Sequence, residues 1–250
     1  MKKRMCLGLL LALVATGSLA QSQAKLMRLA TLEWPPFTGI LLPKEGVSTY
    51  IATTVAKAAG FRLLAASFEW TKAVEKGEKS PEFEGYFPEY YSKERDAACH
   101  LSQSIGTSVL GIATLKSAPI KWNKPSDLGA YTLGVVDGYL NGEELDAAIK
   151  EKRQAVELGA SDAANITKLL AGKIRGIVVD KNVLDYTLYK LNKPGGAVFN
   201  PRPLASLSLH ICFKRTPSGL AMRDAFDEAL KQTDLAKLEA DYFQQMFSQR

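Results

Sequence analysis

An arginine, Arg95, lies between two candidate strands in the segment 85–106, GYFPEYYSKERDAACHLSQSIG. The aromatic run 83–87 before it ends at Pro88 and predicts a buried strand that stops in a turn. Residues 97–101 after it alternate small apolar and polar side chains, which predicts a half-buried strand. The guanidinium is therefore expected between two strand ends, where its planar fork can bind a carboxylate through two hydrogen bonds. The alternative is a surface arginine paired with its acidic neighbours.

Two other side chains stand at predicted strand ends. Asp180 follows the apolar run 177–179, so its carboxylate either lies where α/β sheets present ligand-binding groups or caps the helix that follows. Trp34 follows the first strand, in the segment 33–37, whose two prolines forbid continuation of that strand. Its ring either forms a wall of a ligand cleft or packs beneath the prolines.

The elements that would position these residues alternate between strand and helix. The predicted strands are 25–32, 61–68, 83–87, 109–115, 131–136, 174–179 and 207–213. The predicted helices are 48–59, 70–76, one to about 152 opened by a capping box of Asn141 and Glu144, one capped by Ser161, and three that begin at about 181, 217 and 235. Proline and glycine in the segment 192–202 predict a loop. This alternation indicates an α/β protein with a mostly parallel sheet.

The composition is that of a globular chain, with 250 residues, 46% of them hydrophobic and 23% charged. Residues 1–24 differ from the rest, because a basic start, a short apolar run and a small-residue cleavage pattern predict a signal peptide. Its removal takes away three basic residues, so 29 remain against 26 acidic ones and the net charge falls from +6 to +3. No stripe of basic and aromatic residues remains, which argues against a nucleic-acid partner.

Cysteine and histidine content limits the chemistry further. After the predicted leader, two cysteines remain, Cys99 and Cys212, so an exported protein admits one disulfide, although both can also be small buried apolar residues. The chain has two histidines and no Cys-x-x-Cys spacing. No metal or other cofactor is therefore predicted.

The order of these motifs resembles that of the periplasmic solute-binding proteins of the polar amino-acid family, over the whole mature chain. It comprises Pro-Pro-Phe after the first strand, Ser92-x-x-Arg95, Ser102 seven residues beyond the arginine, Gly-x-x-Asn at 138–141, and an aspartate that closes a later strand. The resemblance implies a type II α/β fold of two lobes, each a mixed, mostly parallel sheet flanked by helices and joined by two hinge crossovers.

The same resemblance implies the lobe boundaries. Lobe 1 would comprise residues 25–105 plus 204–250, and lobe 2 residues 106–203, with crossovers near 104–108 and 197–204. The family fold places the strands that contain Cys99 and Cys212 side by side in lobe 1, which would allow the disulfide.

In that family, the arginine that matches Arg95 binds the ligand α-carboxylate, the aspartate that matches Asp180 receives the ammonium group, and an aromatic residue at Trp34 covers the ligand. The further ligand contacts expected at the cleft mouth and in the second-lobe loop are Pro88, Tyr90, Tyr139 and Asn141. The segment 138–141 lacks the hydroxyl residues usual there, which argues against a plain α-amino acid. Thr31 stands where some binders of basic amino acids carry an aspartate, so a cationic side chain is not favoured.

The resemblance therefore predicts a monomeric periplasmic solute-binding protein that captures a small polar ligand, either an amino acid or a related carboxylate or amine, by closure of its lobes. Its partner would be an inner-membrane ABC-type permease, and it would have no enzymatic activity. One alternative is a protein that presents its ligand to a membrane sensor receptor. The other is a periplasmic lyase or dehydratase on the same fold, with Glu33 and Glu89 as the candidate titratable groups at the cleft edge.

Overall fold

The computed structural model describes residues 24–248, with side chains up to residue 246. Residues 1–23 of the predicted signal peptide lie outside the described residues. The strands are β1 (Lys25–Thr31), β2 (Phe61–Ser67), β3 (Gly85–Tyr90), β4 (His100–Leu101), β5 (Gly106–Thr114), β6 (Leu133–Val136), β7 (Val156–Gly159), β8 (Gly176–Asp180) and β9 (Val198–Phe213). The helices are α1 (Val47–Ala58), α2 (Trp70–Lys79), α3 (Lys93–Ala98), α4 (Glu143–Lys150), α5 (Asp162–Leu170), α6 (Lys181–Lys190), α7 (Pro217–Lys231) and α8 (Leu235–Ser248). None of these helices has the length and apolar character that a membrane span requires.

The strands form one sheet in the order β2-β1-β3-β9-β5-β8-β6-β7, and β4 also pairs with β9. We call β1–β4 with α1–α3, α7 and α8 the first half, and β6–β8 with α4–α6 the second half. Within each half the neighbouring strands β1, β2 and β3, or β6, β7 and β8, run parallel. The predicted α/β fold class is thereby confirmed, with the crossover helices that parallel strands require.

The two halves are joined by β5 and β9, which pair with each other in antiparallel register from Gly106 opposite Leu209 to Thr114 opposite Val198. The end of β9 pairs with β3 and β4 of the first half, and β5 pairs with β8 of the second. The predicted loop at 192–202 is therefore wrong beyond residue 197, because β9 begins at Val198 and continues for 16 residues. Register shifts beside Pro203 accommodate a residue that cannot donate to the ladder.

The closing helices belong with the first half. Both α7 and α8 contact α1, and the fully buried ring of Tyr242 in α8 stacks on Tyr50 of α1, with centroids 6.4 Å apart. This packing is what a discontinuous first lobe would produce. The residue boundaries of the two lobes stay a prediction.

Two local expectations around Arg95 are wrong. The strand β3 does not stop at Pro88 but continues to Tyr90, with a register shift against β9 between Tyr86 and Glu89 where the proline lacks its N–H. Residues 97–101 form the end of α3 and the short β4 rather than one strand. The helix forms because Ser92 Oγ accepts the backbone N–H of Arg95 at 3.1 Å, and acidic residues in the first turn favour the helix dipole.

A disulfide joins Cys99, at the end of α3, to Cys212 near the end of β9. The two Cα atoms are 5.6 Å apart, and the bond closes a loop over a sequence separation of 113. Both side chains are buried. The link therefore ties the chain together just before it leaves the first half and just after it returns.

We expect reduction of this bond to lower the free energy of unfolding by up to about 5 kcal/mol, because a cross-link over a loop of this length removes much of the entropy of the unfolded chain. The measurement is chemical denaturation of the mature protein with and without reductant, which leaves both side chains in place. Cys99→Ala/Cys212→Ala is the control, since reductant should not change its midpoint. Rapid alkylation of native protein without reductant would contradict the bond.

Candidate functional site

The parallel strands of both halves point their carboxyl ends at one interlobe cleft, where α/β sheets bind ligands. The outer part of the cleft encloses about 1630 Å³ that is open to solvent. Its first-half wall comes from the segments that follow β1 and β2, and its second-half wall from Tyr139, the start of α5 and the outer face of α6. Three of its lining residues are acidic, Glu33, Glu69 and Asp162, and one is basic, Lys190.

A narrow inner cavity adjoins this opening, and its volume of about 20 Å³ has room for about one water molecule. Its lining residues are Leu32, Trp34, Trp70, Pro88, Glu89, Tyr90, Tyr139 and Leu140. Six of them belong to the first half, whereas Tyr139 and Leu140 follow β6 in the second half. The cavity is therefore completed only when the two halves approach each other.

Four aromatic residues of the inner cavity form what we call the aromatic box: Trp34, Trp70, Tyr90 and Tyr139. The Trp34 ring is nearly perpendicular to those of Tyr90 and Tyr139, at 82° in each case, with centroids 6.0 and 6.4 Å away. Trp70 meets Tyr139 at 88° and 6.1 Å. Edge-to-face contacts of this kind are favourable geometry for aromatic rings, so the second-half tyrosine is held between the two first-half tryptophans.

Hydrogen bonds of the tryptophans cross from the first half to the second. Trp34 Nε1 donates to Asp162 Oδ2 at 3.0 Å, and Trp70 Nε1 donates to the Gly138 carbonyl at 3.2 Å. The positive φ of Gly138, 75°, turns the chain after β6 toward Trp70, a conformation that favours glycine. These contacts hold the cleft in a closed arrangement.

A third connection passes through the strand between the halves. The Tyr90 hydroxyl lies 2.7 Å from Ser108 Oγ, and the Ser108 hydroxyl donates to Asp180 Oδ2 at 2.7 Å. All three side chains are buried. A chain of hydrogen bonds thus links β3, β5 and β8 below the cavity.

Glu89 is the one carboxylate among the residues that line the inner cavity, and it is 2% exposed. Its Oε1 accepts the backbone N–H of Tyr90 at 2.9 Å. Its Oε2 lies 3.0 Å from Arg95 Nε but has no hydrogen-bond donor in suitable geometry. Burial raises the pKa of Glu89 to about 7, against the opposing effect of Arg95. The group is poised between its acid and carboxylate forms near neutral pH.

Asp162 is a second buried carboxyl on the cleft, at the first turn of α5 and 6% exposed. Burial raises its pKa to about 7, the hydrogen bond from Trp34 lowers it, and the neighbouring charge of Asp180 raises it. Asp162 was not among the residues predicted from the sequence, although its position directly after the Ser161 cap, at a strand end of the second half, was the available signal. Its contact with Trp34, 128 residues away, is purely tertiary.

Four of the residues expected to bind the ligand line the inner cavity: Trp34, Pro88, Tyr90 and Tyr139. Arg95 lies behind Glu89, also 3.8 Å from Glu78, and it lines neither part of the cleft. Asp180 also lies off both walls, since Oδ1 accepts the N–H groups of Asn182 and Val183 at 2.6 and 3.0 Å as the α6 cap. Neither residue lines the cleft in this arrangement, so the assignment of Arg95 and Asp180 as ligand contacts stays a prediction.

Asn141 is the remaining expected contact, and it too stays off the cleft walls. Its Nδ2 donates to the Tyr139 carbonyl at 3.1 Å and to Asp146 Oδ1 at 3.0 Å. The predicted capping box with Glu144 does not form, because Gly142 caps α4 and Asp146 takes the Asn141 N–H at 2.9 Å. Asn141 thus orders the loop that carries Tyr139, and its contact with a ligand stays a prediction.

Among residues 24–248, no group of three or more His, Cys, Asp or Glu side chains is arranged to hold a metal ion. The cleft walls carry carboxyl groups, aromatic rings, hydroxyl groups and one lysine.

No protein-family model matches the chain, and no curated protein sequence is significantly similar to it. Among solved structures, an ancestral arginine-binding protein bound to arginine is similar with a TM-score of 0.73 and 16% identity, over 90% of this chain and 99% of that one. The ancestral amino acid-binding protein AncCDT-1, a precursor of cyclohexadienyl dehydratase, gives 0.68 and 17%, over 89% and 95%. A histidine kinase sensor domain with similarity to periplasmic binding proteins gives 0.76 and 14%, over 90% and 96%.

These similarities, together with a cleft at the carboxyl ends of two joined half-sheets, define the class of fold. The chain has the type II periplasmic binding protein fold, which confirms the fold predicted from the resemblance of its motifs.

Glu89 and Asp162 should make stability depend on pH. A folded-state pKa near 7 exceeds that of the unfolded chain, about 4, so the folded protein retains protons that the unfolded chain releases. Each group therefore lowers the free energy of unfolding by about 1.4 kcal/mol per pH unit as pH rises from about 4 to 7.

We expect Asp162→Asn to make this dependence shallower between pH 5 and 7, because the amide has no proton to lose and still offers Trp34 an acceptor. Urea denaturation across this range measures the slope. Asp185→Asn, which removes an exposed carboxylate paired with Lys181, is the control for net charge. An unchanged slope in Asp162→Asn would show that Asp162 is not the titrating group.

Proposed function

We propose that this protein is a solute-binding protein that captures a small ligand between its two halves. The supporting observation is the cleft between the halves, which is lined by residues of both halves, among them the aromatic box. A ligand bound there contacts both halves at once, so its binding favours the closed arrangement over an open one.

The hinge for this closure would be the β5–β9 ladder. Each of these strands is continuous between the halves, so small changes of twist along them rotate one half against the other while the backbone pairing persists. With the predicted signal peptide, this role corresponds to a monomeric periplasmic protein that delivers its ligand to an ABC-type permease. A sensor receptor is the alternative partner, and similarity to both binding proteins and a sensor domain supports either.

A lyase or dehydratase is the second candidate, because Glu89 satisfies one requirement of such an enzyme. Its buried carboxyl has a pKa of about 7 and lines an aromatic cavity, as a general acid or base near neutral pH would. Glu33, the other candidate, lines the outer cleft. Its Oε1 accepts the backbone N–H of Ile40 at 3.2 Å, so it is engaged in its own loop.

A thermal-shift screen of the mature protein against amino acids, amines, carboxylates and short peptides tests the proposal. A compound at 100 times its dissociation constant should add about 2.7 kcal/mol to the free energy of unfolding. Prolonged incubation followed by NMR then separates the two candidates, since a binding protein returns the compound unaltered. Conversion of the compound at a rate that depends on Glu89 would instead establish the enzyme.

We expect Trp34→Phe to weaken binding of any compound found in this screen by about tenfold, because it makes one wall of the aromatic box smaller and removes the hydrogen bond to Asp162. Isothermal titration calorimetry gives the ratio of dissociation constants. Trp122→Phe is the matched control, since Trp122 is equally buried but packs in the separate core around Leu128 and Leu133. Equal effects of the two substitutions would place the ligand elsewhere.

A further inference from the structure

The end of the second half that lies opposite the cleft is defined by the pairing of five strands. Leu133 of β6 is opposite both Val156 of β7 and Gly176 of β8. Thr114 of β5 is opposite both Gly176 and Val198 of β9. Five strand ends therefore lie in one row, at the amino ends of β6, β7 and β8. Neighbouring strands are about 4.8 Å apart, so the row is about 19 Å wide.

Basic side chains are concentrated in the four segments at this end, 115–132, 151–155, 171–175 and 191–203, which we call the basic pole. The segments contain six lysines and three arginines, and all nine are exposed. Only two acidic residues accompany them, so the basic pole has a net charge of +7. Because the whole mature chain has a net charge of +3, the rest of the mature protein is negative, at −4.

Contacts among the segments hold these charges together. Arg202 Nη1 donates to the Asn123 carbonyl at 3.0 Å, which joins the start of β9 to the segment that follows β5. Gln154 Nε2 donates to the Tyr131 carbonyl at 2.7 Å, which joins that segment to the one before β7. The fourth segment, 171–175, precedes β8 in the middle of the row. The basic pole is therefore one continuous surface rather than four separate loops.

Local partners account for only part of this charge. Asp127 accepts the backbone N–H groups of Asn123 and Lys124, and Glu151 Oε2 accepts from Arg153 Nε at 2.6 Å. The helices α4, α5 and α6 also end here, and each helix C-terminus supplies about half a negative charge. After all of these are counted, an excess of about five positive charges remains.

The cleft end of the second half has the opposite sign. The carboxyl ends of β6, β7 and β8 carry Asp137, Asp162 and Asp180 at or just beyond them, and the first turn of α4 adds Glu143 and Glu144. The second half is thus electrically polarised along its strands. A charge distribution of this kind steers and orients a protein as it approaches a surface of the opposite charge.

The composition of the basic pole favours a bilayer over a nucleic acid or a protein. Its aromatic residues, Trp122, Tyr131 and Phe199, are buried or half-buried, so they display no rings on which bases could stack. Lysines outnumber arginines by six to three, and lysine is depleted in the cores of protein–protein interfaces. Adsorption to an anionic bilayer needs no fitted contacts, because each lysine or arginine near the surface contributes through its charge.

We propose that the basic pole binds the phosphate headgroups of an anionic lipid bilayer, as a peripheral membrane-docking surface of this protein. The predicted signal peptide would carry the mature chain across a membrane, so the protein would meet the outer leaflet of that membrane. The cleft lies at the other end of the second half, so it stays accessible to solvent while the protein is bound. Docking at this end does not require the solute-binding function.

Co-sedimentation with lipid vesicles tests this docking. Mature protein is titrated with vesicles of phosphatidylcholine alone and with vesicles that also contain phosphatidylglycerol, which is anionic. We expect the partition coefficient to be at least about tenfold higher on the anionic vesicles. It should fall to the value for neutral vesicles in 1 M salt, where the screening length is about 3 Å.

Two double variants locate the binding surface. Lys173→Glu/Arg175→Glu reverses two exposed charges in the middle of the row and should weaken binding to anionic vesicles by at least about 25-fold, since each charge contributes about fivefold. Lys57→Glu/Arg62→Glu, the matched control, makes the same change in net charge at exposed positions of the first half. It should bind within about threefold of the wild type, because these positions lie outside the basic pole.

Circular dichroism and thermal unfolding establish that the variants are folded. If Lys173→Glu/Arg175→Glu does not fold, Lys116→Gln/Lys193→Gln takes its place, because it removes two exposed charges of the basic pole without adding new ones. This variant should weaken binding by about 25-fold, again at about fivefold for each charge.

Equal binding to both kinds of vesicle, or equal loss of binding in the basic-pole variant and its control, overturns the docking surface. Single-stranded DNA and heparin are tested in parallel, and binding of either without binding to anionic vesicles also overturns it, because the partner would then be a soluble polyanion. The small-compound screen tests the solute-binding function separately. Lys173→Glu/Arg175→Glu should bind any compound found there with unchanged affinity.

Discussion

The antiparallel pairing of β5 with β9 is the constraint on which the rest of this structure depends. Backbone hydrogen bonds along these two strands are insensitive to side-chain identity, so they fix the relation of the two half-sheets by register. Because the parallel strands of both halves end on the same side of this ladder, residues that follow strand ends, such as Trp34 and Tyr139, meet across the cleft. The buried series Tyr90, Ser108 and Asp180 secures the ladder from within.

The cleft between the halves buries carboxyl groups as well as aromatic rings. Aromatic rings supply most of the contact area at low entropic cost, whereas Glu89 and Asp162 bring desolvation penalties that lower the stability of the protein alone. Desolvation penalties at a cleft, together with pKa values near neutrality, are typical of functional sites rather than of residues that stabilise the fold. A binding partner that compensates these charges would recover stability that the free protein lacks.

The fold could be predicted from the sequence because its elements have strong local signals. Ser161 caps its helix as predicted, Asp180 takes the capping role that was one of its two alternatives, and Thr216 caps the helix predicted from about 217. The apolar runs of β1, β2 and β8 fall within two residues of their predicted limits. The length of β9 was missed, because Pro201 and Pro203 are typical of loops and only pairing with β5 makes them part of a strand.

The candidate site was predicted in part. Aromatic positions after strand ends could be placed from motif order, so Trp34 and Tyr139 were found, whereas the partnership of Arg95 with Glu89 was not. That contact depends on β3 passing through Pro88 to Tyr90, which buries Glu89 instead of leaving it in a turn. The role of Asp162 likewise depends on closure of the two halves, a property with no local signature.

The disulfide stabilises the fold and also determines how a pulling force passes through the chain. Both described chain ends lie in the first half, and the bond between Cys99 and Cys212 is reached from either end before the second half begins. Tension applied between the ends would therefore pass from α3 through the sulfur atoms into β9, and residues 100–211 would carry none of it. The second half therefore lies within a loop that the disulfide closes covalently, and tension applied at the chain ends does not reach it.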